Sequence, residues 1–291
     1  MAGRGERVGF VGLGIMGGPM AAQLGKAGFE LTVYTRTREK AERFAAEHGA
    51  RAAATPAEAA DGADAFVMIV PDAPQVEEVL FGDDGAARAL PQQALVVDMS
   101  TIAPTASLAI GERLAPQAFL EAPVSGSKPK AEDGTLTIFA GGGREEFARA
   151  MPLFEAMGER IVHVGPLGQG QMAKLLTNAM GAVNAAMVAG AVRAAKAAGI
   201  DRDAFLEVAG ASAGASAMLT LKAPLMFDES FEPPLFKLEH MLKDVRHMID
   251  EARALGLEPE LAEVTEAIYA RAAEAGHGEE DFAAVYTAIS P

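Results

Sequence analysis

A lysine and an asparagine stand four positions apart in Gly170-Gln-Met-Ala-Lys174-Leu-Leu-Thr-Asn178. In a helix that spacing puts an ammonium and a carboxamide on one face, a turn apart. The stretch that follows is rich in Ala and Gly, where an ammonium buried without a partner would be costly. Desolvation would lower the pKa of Lys174 and make proton exchange feasible near neutrality, with Asn178 orienting the ammonium or a substrate. Spacing alone slightly favours a plainer alternative, a lysine whose stem carries its charge from the first turn to solvent. A second stretch, Glu121-Ala-Pro-Val-Ser125-Gly126-Ser127-Lys128, leaves an apolar strand for a glycine turn. Its hydroxyls and N–H groups can receive an anion such as a carboxylate. An ordinary strand-ending loop has the same spacing.

Near the N-terminus, Val8-Gly-Phe-Val11 is an apolar run of the buried-strand type, and Gly12, Gly14 and Gly17 follow in G-x-G-x-x-G spacing. Ile15 and Met16 complete the loop, and Met20 to Gly28 reads as a helix. Gly12 permits the tight turn, Gly14 lets backbone N–H groups approach a pyrophosphate, and Gly17 lets the helix lie close on the sheet. The helix N-terminus then faces the anion. Glycine spacings also arise by chance in a chain with 31 of them; position between strand and helix raises this one.

About 20 residues past such glycines, NAD-binding sheets carry an acid for the ribose 2′-hydroxyl. Here the second strand, Leu31 to Tyr34, runs into Thr35-Arg36-Thr37, with no acid. Between Thr35 and Arg43 lie Arg36, Arg38, Lys40 and Arg43 against Glu39 and Glu42, in a chain with 40 acidic and 25 basic residues. Arg36 can pair with a 2′-phosphate while Thr35 and Thr37 donate hydrogen bonds, which favours NADP. A solvated helix start is the alternative, weakened because bases in a helix's first turn oppose its dipole.

Other candidates carry less. Lys243 and Asp244 look like a surface pair. The five histidines have no metal-ligand spacing, so no metal is expected; His240 and His247, two turns apart, read as structural. No Ser-His-Asp order or carboxylate pair stands out.

The elements that must position these residues form two regions. Strand patterns at Val8–Val11, Leu31–Tyr34, Ala65–Val70, Leu95–Asp98, Phe119–Val124, Leu136–Ala140 and Ile161–Val164 alternate with helical ones such as 38–47 and one opened by Pro104. Val70 and Pro71 end the third strand at the cofactor edge. The alternation implies an α/β fold, a doubly wound sheet with an edge in mixed direction. Beyond Gly165 the strand pattern stops. A helix from about 171 to 198, roughly 40 Å long at 1.5 Å per residue, would join the domains, its small residues implying close packing on all sides. Helical patterns follow at 203–209, 234–255, 260–275 and 281–289. The expected domains are 1–166, binding NADP, and 167–291, all helical.

The 291 residues suit two domains, and half are hydrophobic, enough for large cores. A net charge of −15 argues against a nucleic-acid surface or an anionic membrane. With no cysteine there is neither a disulfide framework nor thiol chemistry, which fits a cytoplasmic enzyme. The first residues lack the apolar core of a signal peptide, and the apolar stretch 179–192, interrupted by Asn184, reads as too short to span a bilayer.

Taken together, Gly12-Leu-Gly-Ile-Met-Gly-Gly-Pro-Met20, Asp98-Met-Ser-Thr101, Ala122-Pro-Val-Ser-Gly126, Gly170 to Asn178 and Lys243-Asp244 resemble the β-hydroxyacid dehydrogenase family over nearly the whole chain. The resemblance implies an N-terminal Rossmann domain, an all-α C-terminal domain and a homodimer or homotetramer built through the helical domains. It implies that Lys174 is the catalytic acid/base, reversing the solvent-exposed alternative. It places Thr101 by the nicotinamide, Ser125 and Gly126 at the substrate carboxylate and Lys243 in the cofactor cleft. Ser125-Gly-Ser-Lys-Pro-Lys is similar to the glyoxylate/succinic semialdehyde reductase branch; the 3-hydroxyisobutyrate pattern has glycine where Ser127 stands. Thr35-Arg36-Thr37 resembles that branch's Asn-Arg-Thr, departing at Thr35, and Phe236 and Asp244 match positions around its substrate pocket. The expected activity is NADPH-dependent reduction of a small aldehyde acid. The alternatives are a 3-hydroxyisobutyrate-type dehydrogenase, an imine reductase or a non-catalytic scaffold, the last two generally lacking the lysine.

Overall fold

The computed structural model describes residues 5–290. Residues 1–4 and 291, including most of the stretch read for a signal peptide and the outer ends of both expected domains, lie outside the described residues. The chain divides into two compact units, 1–174 and 175–291.

Among the described residues the first unit has nine strands: β1 (Arg7–Val11), β2 (Glu30–Tyr34), β3 (Arg51–Ala52), β4 (Ala65–Met68), β5 (Leu95–Asp98), β6 (Ala118–Glu121), β7 (Val124–Ser125), β8 (Leu136–Gly141) and β9 (Gly158–Gly165). Their order is β3-β2-β1-β4-β5-β6-β8-β7, with β9 on β8. Strands β1 to β6 are parallel, whereas β8 runs antiparallel to β6 and β7 and parallel to β9. The mixed-direction edge is therefore present.

Seven helices accompany the strands: α1 (Gly17–Ala27), α2 (Arg38–His48), α3 (Pro56–Ala60), α4 (Ala73–Phe81), α5 (Pro104–Leu114), α6 (Ser127–Asp133) and α7 (Arg144–Met157). Alternate residues of the central strands feed two cores. Phe10, Val67 and Val97 pack with Met20, Leu24 and Phe154, while Phe66, Met68 and Val96 pack with Val79, Leu80 and Ile110. Apolar residues on both faces are what a doubly covered sheet requires.

Register aligns the strand ends. Val11 pairs with Tyr34 and Met68, Met68 with Asp98, and Asp98 with Glu121. The segments that leave these residues, 12–17, 35–37, 69–71, 99–101 and 122–127, thus share the carboxyl edge. The glycine loop leaves β1, between β2 and β4, where the strand order reverses; that crevice is the usual ligand position in such sheets.

Two strand expectations need correction. Strand β4 stops at Met68: the Ile69 N–H still reaches Val11 O at 2.9 Å, but the Val70 N–H turns to Ser100 Oγ at 2.9 Å. The expected strand 119–124 is split into β6 and β7 at Ala122-Pro123, since proline cannot donate to the ladder.

Helix α8 (Gln169–Ala197) spans 29 residues and contains the division between the units. The second unit continues with α9 (Arg202–Gly210), α10 (Ala217–Asp228), α11 (Leu238–Ala254) and α12 (Glu260–Ala272), then a π turn at 273–277 and a 3-10 segment, Phe282–Ala288. Helix α10 had no counterpart in the sequence reading. Its core gathers Ala182, Ala185, Ala189 and Val192 of α8 with Met226, Val245 and Tyr269.

The expectation of close packing on all sides of α8 is corrected. Met180 and Met187 are 71% and 68% exposed. The expectation that this region is too short for a bilayer is corrected too: the helix extends well beyond its most apolar run. Among the described residues α8 alone is long and apolar enough to cross a membrane by length and composition, and 44% of its most apolar window is buried in the protein.

Helix α11 starts at Leu238 rather than Pro234, because the preceding N–H groups are taken elsewhere. Leu235 and Phe236 donate to Asp281 Oδ2 at 3.1 and 3.4 Å. Asp281 is 1% exposed and also binds the buried Lys222 ammonium, with Nζ 2.8 Å from Oδ1 and 3.0 Å from Oδ2. Removing one member of a buried pair strands the other charge. Lys222→Ala is expected to destabilise the second unit by about 3–5 kcal/mol in denaturant unfolding; a loss below about 1 kcal/mol, the range of an exposed pair, would contradict this.

Candidate active site

At the carboxyl edge of the sheet, the glycines carry the geometry their spacing implied. Gly12 has φ 99°, and a Cβ there would lie 2.1 Å from Ile69 O. A Cβ at Gly17 would lie 1.8 Å from Gly12 O, so the start of α1 can approach the loop only without a side chain. A Cβ at Gly14 would meet nothing within 4 Å. The loop is open there, as a backbone cradle for a pyrophosphate must be. The first turn of α1 has no acidic residue and no side-chain cap, so no side chain there competes with an anion for the positive end of the helix dipole. These residues fit a dinucleotide.

Beyond β2, Thr35 is half-buried, and Arg36 and Thr37 are exposed. Arg38 is held by Glu42 at 2.8 Å; Arg36 has no ion pair among the described residues. Thr37 occupies the N-cap position of α2 without capping through its hydroxyl.

The loop after β5 is fixed by a chain of hydrogen bonds. The Ser100 N–H donates to Asp98 Oδ1 at 2.9 Å, and Ser100 Oγ accepts the Val70 N–H. The Gln171 carboxamide spans the next residue: Nε2 donates to Ser100 O at 2.9 Å, and Oε1 accepts the Ile102 N–H at 3.1 Å. Thr101 lies between those two bonds. The Gln171 N–H in turn donates to Glu121 Oε1 at 3.0 Å.

Glu121 is fully buried at the end of β6, and its other oxygen accepts the Ser107 hydroxyl. Glycines make room for it: a Cβ at Gly141 would lie 2.3 Å from Oε1, and one at Gly170 would lie 3.0 Å away. Lys174, 7% exposed, follows Gln171 by three positions, close to one turn of α8. In the same unit, Ser125 ends β7, Gly126 has φ 142° and Ser127 has φ 57°. The left-handed conformation of Ser127 is one that glycine adopts freely.

In the second unit, Asn178, Lys243 and Asp244 come together. Asn178 Nδ2 donates to Asp244 Oδ2 at 2.6 Å, and Lys243 Nζ stands 3.1 Å from Asp244 Oδ1. Asp244 is 1% exposed, so the expected surface pair is an inward one. The Phe236 ring packs against His240 and Phe282, with centroids 5.9 and 6.1 Å apart. Burial, aided by Lys243 and Lys237, holds the His240 imidazole below its ordinary range. Among the described residues no cluster of three or more potential ligands could hold a metal.

Sequence reasoning assigned no role to Glu121, Gln171, Ser100 or Asp98. The available signal was a lone charge, Glu121, inside the otherwise apolar strand Phe119-Leu-Glu-Ala-Pro-Val124.

Comparisons with known proteins identify the family. Residues 7–165 match the NAD binding domain of 6-phosphogluconate dehydrogenase, and residues 168–289 match the NAD-binding domain of NADP-dependent 3-hydroxyisobutyrate dehydrogenase. The chain is 37% identical over 290 residues to glyoxylate/succinic semialdehyde reductase 1 of Arabidopsis thaliana, covering 97% of this chain and 98% of that one. It is 34% identical to the NAD-dependent L-serine dehydrogenase of Pseudomonas aeruginosa, covering 98% of both. A crystal structure of 3-hydroxyisobutyrate dehydrogenase from Salmonella typhimurium superposes with a TM-score of 0.90 at 31% identity, covering 98% of this chain and all of that one. The chain therefore belongs to the β-hydroxyacid dehydrogenase family and is an NAD(P)-dependent oxidoreductase.

Glu121 offers a direct test of the site's electrostatics. Burial pushes its carboxyl above the ordinary glutamate range, while the Ser107 hydroxyl and the N–H groups of Gln171, Gly168 and Gly170 act in the opposite sense. A carboxyl raised on folding contributes stability that is fully present below its unfolded pKa and lost as pH rises through the folded one. Glu121→Gln offers an acceptor and a donor without ionising. Its Tm relative to wild type should increase as pH is raised from about 4 to about 8. A difference that is constant, or largest in acid, would contradict the assignment.

Proposed function

We propose that the chain is an NADPH-dependent reductase of small aldehyde acids, with succinic semialdehyde and glyoxylate ahead of methylmalonate semialdehyde, and that Lys174 is its general acid. The observation that carries this reading is the buried Lys174 just past the start of α8, which Gln171 ties to the loop bearing Thr101. Residues 1–166 would form the NADP-binding domain and 167–291 the helical substrate and oligomerisation domain. Gly12, Gly14, Ile15, Met16 and Gly17 would hold the pyrophosphate, and Val70, Pro71, Thr101 and Lys243 would complete the cofactor site. When bound, NADPH supplies the hydride. Lys174 stabilises the charge developing on the carbonyl oxygen and protonates the alkoxide. Ser125, Gly126 and Ser127 hold the carboxylate, so both ends of the substrate are fixed. Asn178 and Phe236 complete the substrate site, with Asp244 keeping Asn178 in place through their hydrogen bond. Ser127 keeps a conformation that suits the glycine of the 3-hydroxyisobutyrate pattern while adding a hydroxyl donor, which favours the semialdehyde branch.

The relatives include an NAD-dependent enzyme by name, so cofactor choice rests on this chain's own residues. Arg36, with no ion pair among the described residues, and Thr37, whose hydroxyl is not used as a cap, favour a 2′-phosphate. The exposed apolar stripe Leu176, Met180 and Met187 along α8 supports a homodimer or homotetramer. A cytoplasmic location goes with the absence of cysteine.

Arg36→Ala should cost about 1.5–3 kcal/mol, roughly ten- to a hundredfold in kcat/KM, with NADPH only; an equal loss with NADH would assign Arg36 to folding. Lys174→Ala should lower kcat by roughly 10² to 10⁴ while NADPH binding survives. A folded variant with near-full activity would remove Lys174 from the chemistry. The substrate assignment is tested with succinic semialdehyde against butanal, in wild type and in Ser125→Ala. Butanal should be much the poorer substrate, and the Ser125 change should narrow the gap. Equal turnover, or an unchanged ratio, would refute the carboxylate anchor and favour an imine substrate.

A further inference from the structure

We infer that Gln171 is a positioning residue that fixes Thr101 and Lys174 in one register, an inference that rests on the proposed reductase reading. Gln171 is fully buried, although it carries two polar groups that are costly to bury unsatisfied. Its carboxamide presents one donor and one acceptor to the main chain on either side of Thr101, at 2.9 and 3.1 Å. This is the pattern by which a neighbouring strand pairs with alternate residues, so one side chain takes the place of a strand and restrains the backbone at Thr101.

Few side chains can do this. A carboxylate has no donor for Ser100 O, an ammonium has no acceptor for the Ile102 N–H, and a methionine of similar length has no donor and only a weak acceptor. The same residue is anchored at its other end, where its N–H is held by Glu121 Oε1 at 3.0 Å. Lys174 is three positions along that helix, at a rise of about 1.5 Å per residue. The nicotinamide-side residue and the proton donor are therefore set by a single rigid residue. A shift of either by a fraction of an ångström would separate hydride delivery from protonation.

The test uses the full-length chain with Gln171→Met and Gln171→Glu, the second retaining the acceptor if the first fails to fold. Four quantities are measured: NADPH binding by its fluorescence, kcat and KM with succinic semialdehyde, the isotope effect with NADPH deuterated at the transferred position, and amide exchange at Ile102. The inference predicts an NADPH Kd within about threefold of wild type, kcat lowered roughly ten- to a hundredfold and a larger isotope effect on kcat. Exchange at Ile102 should be at least about tenfold faster in Gln171→Met, from which the carboxamide oxygen is gone. Unchanged kcat in a folded variant would overturn the inference. So would parallel loss of NADPH binding and Tm in both variants, which would mark Gln171 as part of the fold alone. If wild type reduces no semialdehyde, the reductase reading fails and exchange at Ile102 decides the clamp: unchanged exchange in Gln171→Met overturns it.

Discussion

The buried carboxyl group of Glu121 at the start of α8 is the constraint on which the rest of the first unit's site depends. A helix begins with N–H groups that have no intrahelical partner, and a buried start must find acceptors for them. Here the acceptor comes from a sheet strand, and two glycines, Gly141 and Gly170, admit it. The sheet edge and the helix bearing Lys174 are joined at that point. From there the order spreads outward through Gln171 to Ser100, and through Ser100 to the backbone of Val70. The segments after β4 and β5 and the end of β6 are thereby tied together on the side where the glycine loop leaves β1.

The second unit follows a similar rule with different residues. Two of its buried acids, Asp244 and Asp281, each bind a lysine and at least one further donor. Buried ion pairs are poor sources of net stability, because desolvation offsets much of their attraction. Their value here is directional. Asp281 fixes the backbone at Leu235 and Phe236, which is why α11 begins only at Leu238, and Asp244 fixes the amide of Asn178. The side chains nearest the proposed chemistry are held by charges that do not themselves react.

Much of the first unit was legible because its signals are local. An apolar run followed by glycines at fixed spacing dictates a strand, a turn and a helix, and steric limits at Gly12 and Gly17 leave no other residue possible. The lysine and asparagine of α8 could be placed on one face by period alone. The clamp was not legible, since it joins residues 69 to 71 positions apart and nothing in a one-dimensional pattern pairs Gln171 with Ser100 and Ile102. The start of α11 was misread for the same reason, the N–H groups of Leu235 and Phe236 before it being taken by a carboxylate 46 and 45 positions away. The exposed methionines of α8 were missed because small residues imply close approach but do not say on which side.

The proposed reductase reading requires hydride transfer from NADPH to the aldehyde carbon of a carboxylic acid. The most direct measurement incubates the protein with succinic semialdehyde and NADPH stereospecifically deuterated at C4, then determines the mass of the hydroxy acid formed. One deuterium is expected on the new carbinol carbon from one C4 epimer and none from the other. Product without deuterium from either epimer, or no product while NADPH is bound, would contradict it.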